Sequence, residues 1–396
     1  MTIVCLSERQ YGCGASIAGY RLALALAGAG HEVHWWYARP FDGPLPEPAR
    51  LWQRQLPAAP ALRRWEGALA RISVRCWGFF LRQRWRKNEA GIHDGLTDLA
   101  VDAVILNNID SVLNHAGVRR LADRLPVYWL IHSNLALQPW HYQFERLDGA
   151  LETAYSYPPA LVDTAAQRSL VDHPQLRFVA PSNWLARHNR AIHGDRLRIS
   201  VIPYAIDPST FYPEKKLKKP ASRLRILLVA SQLAYPRKNI QLLLAALPRL
   251  DAERYHFLAL GRDSDGLAER YPMIEFLTPS YRPEVLRQHY SNADYFLMPS
   301  LIDNLPNTVL ESLLCGTPVI GSRTGGVPDM VLPGTSGLLF DPYSVDELVG
   351  VLRRLVTSPP PLLRDAALHR WAAERYAPAR IAEQWTDLLE KRTAAT

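Results

Sequence analysis

Four cysteines, Cys5, Cys13, Cys76 and Cys315, are spread over 396 residues with no Cys-x-x-Cys pair and no Cys/His ligand spacing, so free thiols are expected and a structural zinc is not. No run of about 18 apolar residues occurs, the nearest candidate, Ala68 to Leu81, being broken by Arg71 and Arg75, so no spanning helix is expected. Met1 to Leu6 passes straight into Ser7, Glu8 and Arg9, without the basic flank, apolar stretch and small-residue cleavage site of a leader; the expected location is the cytoplasm. A dinucleotide fingerprint is also lacking. Gly12-x-Gly14-x-x-Ile17 has no third glycine, and Ala38-Arg39-Pro40 puts no acid at the end of the next strand, which disfavours hydride chemistry.

An excess of one charge sign is missing from most of the chain and concentrated in one place. Of 46 Lys/Arg, ten lie between Arg50 and Lys87, beside one acid, Glu66; the remainder of the chain is near neutral. Trp52, Trp65, Trp77, Phe79, Phe80 and Trp85 are interleaved with these cations, as in a segment that rests on a lipid interface with anionic headgroups. The plainer reading is a solvated basic helix whose aromatics pack on their own domain. Nucleic acid is disfavoured, because none of the usual binding modules accompanies the patch.

What is present is a twofold alternation of strand and helix. Ile3 to Leu6 reads as a strand, Tyr11-Gly12-Cys13-Gly14 as a turn, Ala15 to Ala27 as a helix closed by Gly28 and Gly30, and His31 to Tyr37 as a second strand. Strand-like runs recur at Ala103 to Leu106, Val127 to Ile131, Arg177 to Ala180 and Ile199 to Ile202. A proline- and lysine-rich break follows, and a second alternation runs from the strand Arg225 to Ser231 through to a helix beginning at Val345, with the capping box Ser344-x-x-Glu347. With 48% apolar residues each half can bury its own core. The expected fold is α/β with two doubly wound, Rossmann-like domains: 1–207, a linker 208–222, 223–375, and a C-terminal helix 376–396 packing back toward the first domain.

In such sheets ligands gather beyond the carboxyl ends of strands. The stretch Pro299 to Pro318 runs from a strand end through a loop into a helix from Asn307 to Cys315, whose first N–H groups attract anions. Asp303 lies in the loop and Glu311 a turn inside the helix, a spacing that suits the hydroxyls of a sugar and of a ribose. After the strand Arg225 to Ser231 stand Arg237 and Lys238, two cations able to neutralise a departing diphosphate, the task a metal performs elsewhere. His132 closes the strand Val127 to Ile131, and Gly12 and Gly14 precede a helix whose N–H groups can face a phosphate. Asp263-Ser264-Asp265 has the look of a metal-binding Asp-x-Asp but sits in a polar turn, and is read as a decoy.

These residues resemble the retaining glycosyltransferases of family four, of GT-B architecture, whose acid-x7-acid motif occupies the same strand, loop and helix; Asp303 and Glu311 match its two positions. The likeness extends through Gly325-Gly326-Val-Pro-Asp329 and Gly337-Leu-Leu-Phe-Asp341. It implies two domains facing across a cleft, no obligatory metal or other cofactor, and a nucleotide-sugar donor. Asp303 would bind sugar hydroxyls, Asn304, Leu305, Asn307 and Thr308 would present backbone N–H groups, and Glu311 would hold the ribose. Arg237 and Lys238 match the family's basic pair, Gly261 and Arg262 its strand edge near the base, and Gly14 and Ala15 would face the donor phosphate. His132 matches a histidine lining the reacting sugar. Asp303 departs from the more common Glu, which leaves the donor sugar open. The implied reaction is retaining glycosyl transfer to an acceptor hydroxyl; the basic aromatic segment, rather than the resemblance, points to a glycan or lipid-linked acceptor, as in surface polysaccharide biosynthesis at the inner face of the membrane. A sugar-nucleotide epimerase and a non-catalytic nucleotide-sugar-binding protein are the alternatives. If residues 50–87 meet anionic lipid, vesicles containing it will sediment the protein at low salt and release it as salt is raised; no sedimentation removes the membrane element.

Overall fold

Both halves are explained by short apolar strands that must be covered on both faces, with a helix after most of them to do the covering. The computed structural model describes residues 1–43, 45–46, 50–57, 74–109, 112–133, 140–146, 149–156, 164–215, 223–262 and 266–393. The middle of the basic aromatic segment, the lysine-rich part of the linker from 216, and Asp263-Ser264-Asp265 lie outside them. The chain forms two units: Met1–His141 with Tyr155–Ala205 and Pro378–Thr396, and Tyr142–Ala154 with Ile206–Ala377.

The first unit runs β1 (Thr2–Arg9), α1 (Gly14–Gly28), β2 (Glu32–Arg39), β3 (Trp52–Gln55), α2 (Val74–Thr97), β4 (Ala103–Asn107), α3 (His115–Ala122) and β5 (Val127–Leu130). After the hairpin of β6 (Trp140–Glu145) and β7 (Leu151–Ser156) it continues with α4 (Thr164–Val171), β8 (Leu176–Ala180), α5 (Asn183–His193) and β9 (Ile199–Val201). Its sheet is parallel, in the order β3-β2-β1-β4-β5-β8-β9, with Leu6 aligned with Trp36 on one side and Leu106 on the other. Ile3, Val4 and Leu6 are fully buried, as the central place of β1 requires.

The second unit repeats the scheme: β10 (Leu224–Gln232), α6 (Ile240–Ala246), β11 (Tyr255–Arg262), α7 (Leu267–Arg270), β12 (Ile274–Leu277), α8 (Pro283–Asn292) and β13 (Tyr295–Met298). Then come α9 (Asn307–Leu314), β14 (Val319–Ser322), α10 (Val327–Met330), β15 (Gly337–Phe340), α11 (Val345–Thr357) and α12 (Asp365–Tyr376). The sheet order is β12-β11-β10-β13-β14-β15, again all parallel. In each sheet the chain winds outward from the first strand, then reverses direction, so β1/β4 and β10/β13 are the switch points where two adjacent loops diverge and leave room for a ligand. The last helix, α13 (Pro378–Thr393), packs on α1 of the first unit, with Trp385 buried beside Tyr128 and Thr386 Oγ1 2.8 Å from His31 Nε2.

Within the basic segment the described residues divide. Arg84 and Trp85 are buried, as the plainer reading of that segment has it for its aromatics, whereas Trp52, Arg82, Arg86 and Lys87 are exposed. Residues 208–215, expected as linker, are anchored on α8: Arg287 donates to Glu214 Oε1 at 2.6 Å and to the Thr210 carbonyl at 2.9 Å, and stacks on Tyr212.

Gly316 ends α9 with φ +75°, and a side chain there would meet the backbone of Asp365, whose N–H donates to the Gly316 carbonyl at 2.8 Å. Gly316→Ala is expected to destabilise the second unit by about 3 kcal/mol, lowering its thermal midpoint by roughly 6–12 °C. Differential scanning calorimetry tests this; a midpoint within about a degree of the parent would refute the packing argument.

Candidate functional site

The loops after β10 and β13 meet at the switch point of the second sheet. The first contains the 3-10 turn Pro236–Lys238, and the second runs from Pro299 to the start of α9. The Leu301 N–H donates to the Arg237 carbonyl at 2.9 Å, which ties one loop to the other and brings their side chains together. Lys238 Nζ lies 2.7 Å from Asp303 Oδ2, and Arg237 Nη1 lies 3.1 Å from the same oxygen while donating to the Ile302 carbonyl at 3.0 Å. All three side chains are largely buried, at 12%, 21% and 14% exposure for Arg237, Lys238 and Asp303. From β14 the Gly326 N–H caps the Asp303 carbonyl at 2.9 Å, and Gly325, at φ +56°, passes so close to that carbonyl that no side chain fits.

The electrostatics follow from the geometry. Burial alone would raise the Asp303 pKa, but Lys238 and Arg237 more than offset it and bring the carboxyl down to about 2. Lys238 is pushed below its ordinary range, first by burial and then by the neighbouring Arg237, with Asp303 opposing both. Two cations against one carboxylate leave the locus net positive. The α9 entrance, formed by Pro306 without a side-chain cap, adds the partial charge of its N–H groups. A polyvalent anion suits this place.

On α9, Glu311 is 6% exposed and accepts a hydrogen bond from the Tyr290 hydroxyl at 3.3 Å, so it is a held, inward acid. Burial first, and the Glu311 charge next, raise the thiol of Cys315 one turn on. Asn304 and Leu305 are buried, while Asn307 and Thr308 are half-buried. Gly261 has a packing reason of its own: a side chain would strike the Ala230 carbonyl of β10. Arg262 points outward, its Nε 3.3 Å from the Ser231 carbonyl, and does not join the Arg237–Lys238–Asp303 group.

The first unit has its own polar chain at its switch point. His132 Nε2 lies 2.7 Å from Asn107 Oδ1 and Nδ1 lies 2.6 Å from the Tyr204 hydroxyl. An amide oxygen only accepts, so in the neutral ring the proton sits on Nε2 and Nδ1 accepts from Tyr204. Asn107 Nδ2 donates in turn to Ser7 Oγ at 3.2 Å, and Ser7 to the Arg9 carbonyl at 2.8 Å. Gly19 of α1 is where the Asn107 carboxamide packs, with no space for a side chain. Gly14 and Ala15 open α1, after Cys13, whose N–H donates to Ser16 Oγ at 3.3 Å. Among the described residues no three His, Cys, Asp or Glu side chains stand close enough together to hold a metal.

Sequence reasoning assigned no role to Tyr290, Asn239, Tyr204 or Ser7. Ser7 lies near the end of β1 and Asn107 ends β4, the two strands that flank the first switch point, a signal open to anyone who has the strand order; Tyr290 and Tyr204 reach their acid and histidine from positions far along the chain.

Residues 224–358 match the family model described as glycosyl transferases group 1. The matched stretch lies within the second unit. Among curated relatives of this group 1 domain, it is 32% identical over 123 residues to the sulfoquinovosyl transferase of Arabidopsis thaliana, covering 30% of this chain and 24% of that protein. It is 31% identical over 208 residues to the MMP alpha-(1->4)-mannosyltransferase of Mycolicibacterium hassiacum, covering 50% and 49%. To the D-inositol 3-phosphate glycosyltransferase of Mycolicibacterium smegmatis it is 26% identical over 273 residues, 63% and 60%. The match thus spans between about a quarter and three-fifths of these relatives. Among solved structures, sucrose-phosphate synthase from Thermosynechococcus elongatus aligns over 100% of both chains at a TM-score of 0.75 and 18% identity. Anabaena HepE, solved with UDP-glucose, aligns over 99% of this chain and 100% of its own at 0.65 and 14%. The fold is therefore GT-B.

Because Asp303 is held at about 2 against an ordinary 3.8, its carboxylate contributes stability that is present above pH about 3.8 and is lost as pH falls through about 2. The difference amounts to about 2 kcal/mol. Midpoints of the parent and of Asp303→Asn, measured by circular dichroism from pH 6 downward, are expected to differ most above pH about 4 and to converge below it. A gap that stays constant with pH would contradict the ion pairing.

Proposed function

We propose that the chain transfers a glycosyl group from a nucleotide-diphosphate donor to an acceptor hydroxyl, with retention at the anomeric carbon and without an obligatory metal. The observation that carries this reading is the convergence of Arg237 and Lys238 on one oxygen of Asp303 at the switch point of a group 1 domain. As the bond between anomeric carbon and diphosphate oxygen breaks, negative charge builds on the phosphate. The two cations and the α9 entrance stand ready-made to stabilise it, so that little reorganisation is needed. The acceptor oxygen bonds the same carbon from the same face, and its proton passes to the departing diphosphate.

In this reading Asp303 receives sugar hydroxyls through the carboxylate that the cations hold ionised. Asn304, Leu305, Asn307 and Thr308 offer backbone N–H groups, and Glu311, steadied by Tyr290, takes the ribose. Gly261 and Arg262 border the base. Within the first unit, the roles of phosphate and sugar contacts fall to Gly14 and Ala15 at the start of α1 and to His132, which Asn107 and Tyr204 fix. The nucleotide-bound HepE structures and the transferases named above support a nucleotide-sugar donor. A lipid-linked acceptor at the inner membrane face is the counterpart of the exposed Trp52, Arg82, Arg86 and Lys87. No described helix is long and apolar enough to cross a membrane.

The test is thermal unfolding with UDP, GDP, ADP and CDP in turn, on the parent and on Glu311→Ala. A nucleotide at 100 times its dissociation constant adds about 2.7 kcal/mol to the native state, a rise of several degrees. One nucleotide is expected to stabilise the parent and not the variant. No shift with any of the four would remove the donor site.

A further inference from the structure

Asn239 has no part in the reading above, yet its placement is unlike that of an ordinary helix cap. It precedes α6, where an asparagine usually turns its side-chain oxygen onto the first N–H groups of its own helix, but it makes no such bond. Its backbone is left-handed, φ 54° and ψ 37°, a conformation glycine adopts at least cost, so backbone geometry alone does not call for asparagine. The side chain is buried, and Nδ2 donates to two carbonyls distant in sequence, Pro299 at 3.0 Å and Pro342 at 2.9 Å.

These three residues each follow a strand: Asn239 lies beyond β10, Pro299 follows β13 and Pro342 lies just past β15. The Asn239 N–H also donates to the Pro236 carbonyl at 3.0 Å, closing the turn that carries Arg237 and Lys238. One carboxamide therefore joins the basic turn to the loop that carries Asp303 and to the far edge of the sheet, with both of its side-chain N–H groups engaged. An aspartate would set a carboxylate against two carbonyl oxygens, and a glycine would leave both carbonyls without this donor.

We infer that Asn239 is a positioning residue for the diphosphate clamp: it sets the spacing between the Arg237–Lys238 turn and the Asp303 loop. The inference rests on the donor-site reading. Its consequence is selective, because the second phosphate depends on the two cations, whereas base and ribose contacts do not. Small displacements of such groups are costly, since the charge contacts act over ångströms.

The experiment is calorimetric titration with the diphosphates UDP, GDP, ADP and CDP and their monophosphates, on the parent, Arg237→Ala, Asn239→Gly and Asn239→Asp, with circular dichroism to confirm folding. The readout is the ratio of monophosphate to diphosphate dissociation constants for the best-bound base. The parent is expected to prefer the diphosphate, and Arg237→Ala and both Asn239 variants to lose at least about tenfold of that preference. Monophosphate binding should stay within about twofold. Asn239→Gly keeps the left-handed backbone and Asn239→Asp keeps the volume, so one serves if the other does not fold. If the Asn239 variants weaken both nucleotides alike, or keep the preference while Arg237→Ala loses it, the positioning inference falls and the donor site stands. A parent with no preference for any diphosphate overturns both.

Discussion

One oxygen of Asp303 pairs with two cations, and the local architecture of the second unit is arranged around that pairing. Arg237 and Lys238 belong to one strand's loop and Asp303 to the next, so the pairing exists only because β10 and β13 are neighbours. Burying three charges is costly unless each finds a partner, and here every one does. The backbone contributes as much as the charges. Leu301 bonds to Arg237, Gly326 bonds to Asp303, and Gly325 can come near only because it lacks a side chain. The excess positive charge that remains, set at the mouth of α9, is what an anionic leaving group would meet.

The first unit repeats the topology with neutral chemistry. Its switch point holds a relay of hydroxyl, imidazole, carboxamide and hydroxyl, from Tyr204 through His132 and Asn107 to Ser7. Such a chain orients a ring and fixes its tautomer. The two sheets thus share a winding order but not an electrostatic character: one presents cations, the other oriented dipoles.

Much of the fold was legible beforehand because buried parallel strands are written as uninterrupted apolar runs, and Ile3 to Leu6 or Tyr295 to Met298 can hardly be anything else. Helix α1 appears within a residue of its expected bounds, since Gly28 and Gly30 punctuate it. Strand β3 was hidden in a basic segment, because Trp52-Gln53-Arg54-Gln55 has no apolar run, and edge position rather than composition makes it a strand. Residues 208–215 looked like linker from their prolines, and Arg287 on a later helix fastens them down.

For the site, sequence alone determined the kinds of residue and the elements that carry them: Asp303 and Glu311 eight apart across a helix entrance, and a basic pair past a strand. Local chemistry suffices for that, because helix entrances and strand ends are set by nearby residues. Tertiary structure alone decided that Arg237, Lys238 and Asp303 share an oxygen, that Glu311 faces inward to Tyr290, and that Asn239 serves two carbonyls 60 and 103 residues away instead of its own helix. Those contacts depend on strand order, and strand order is a property of the whole sheet that no stretch of sequence contains.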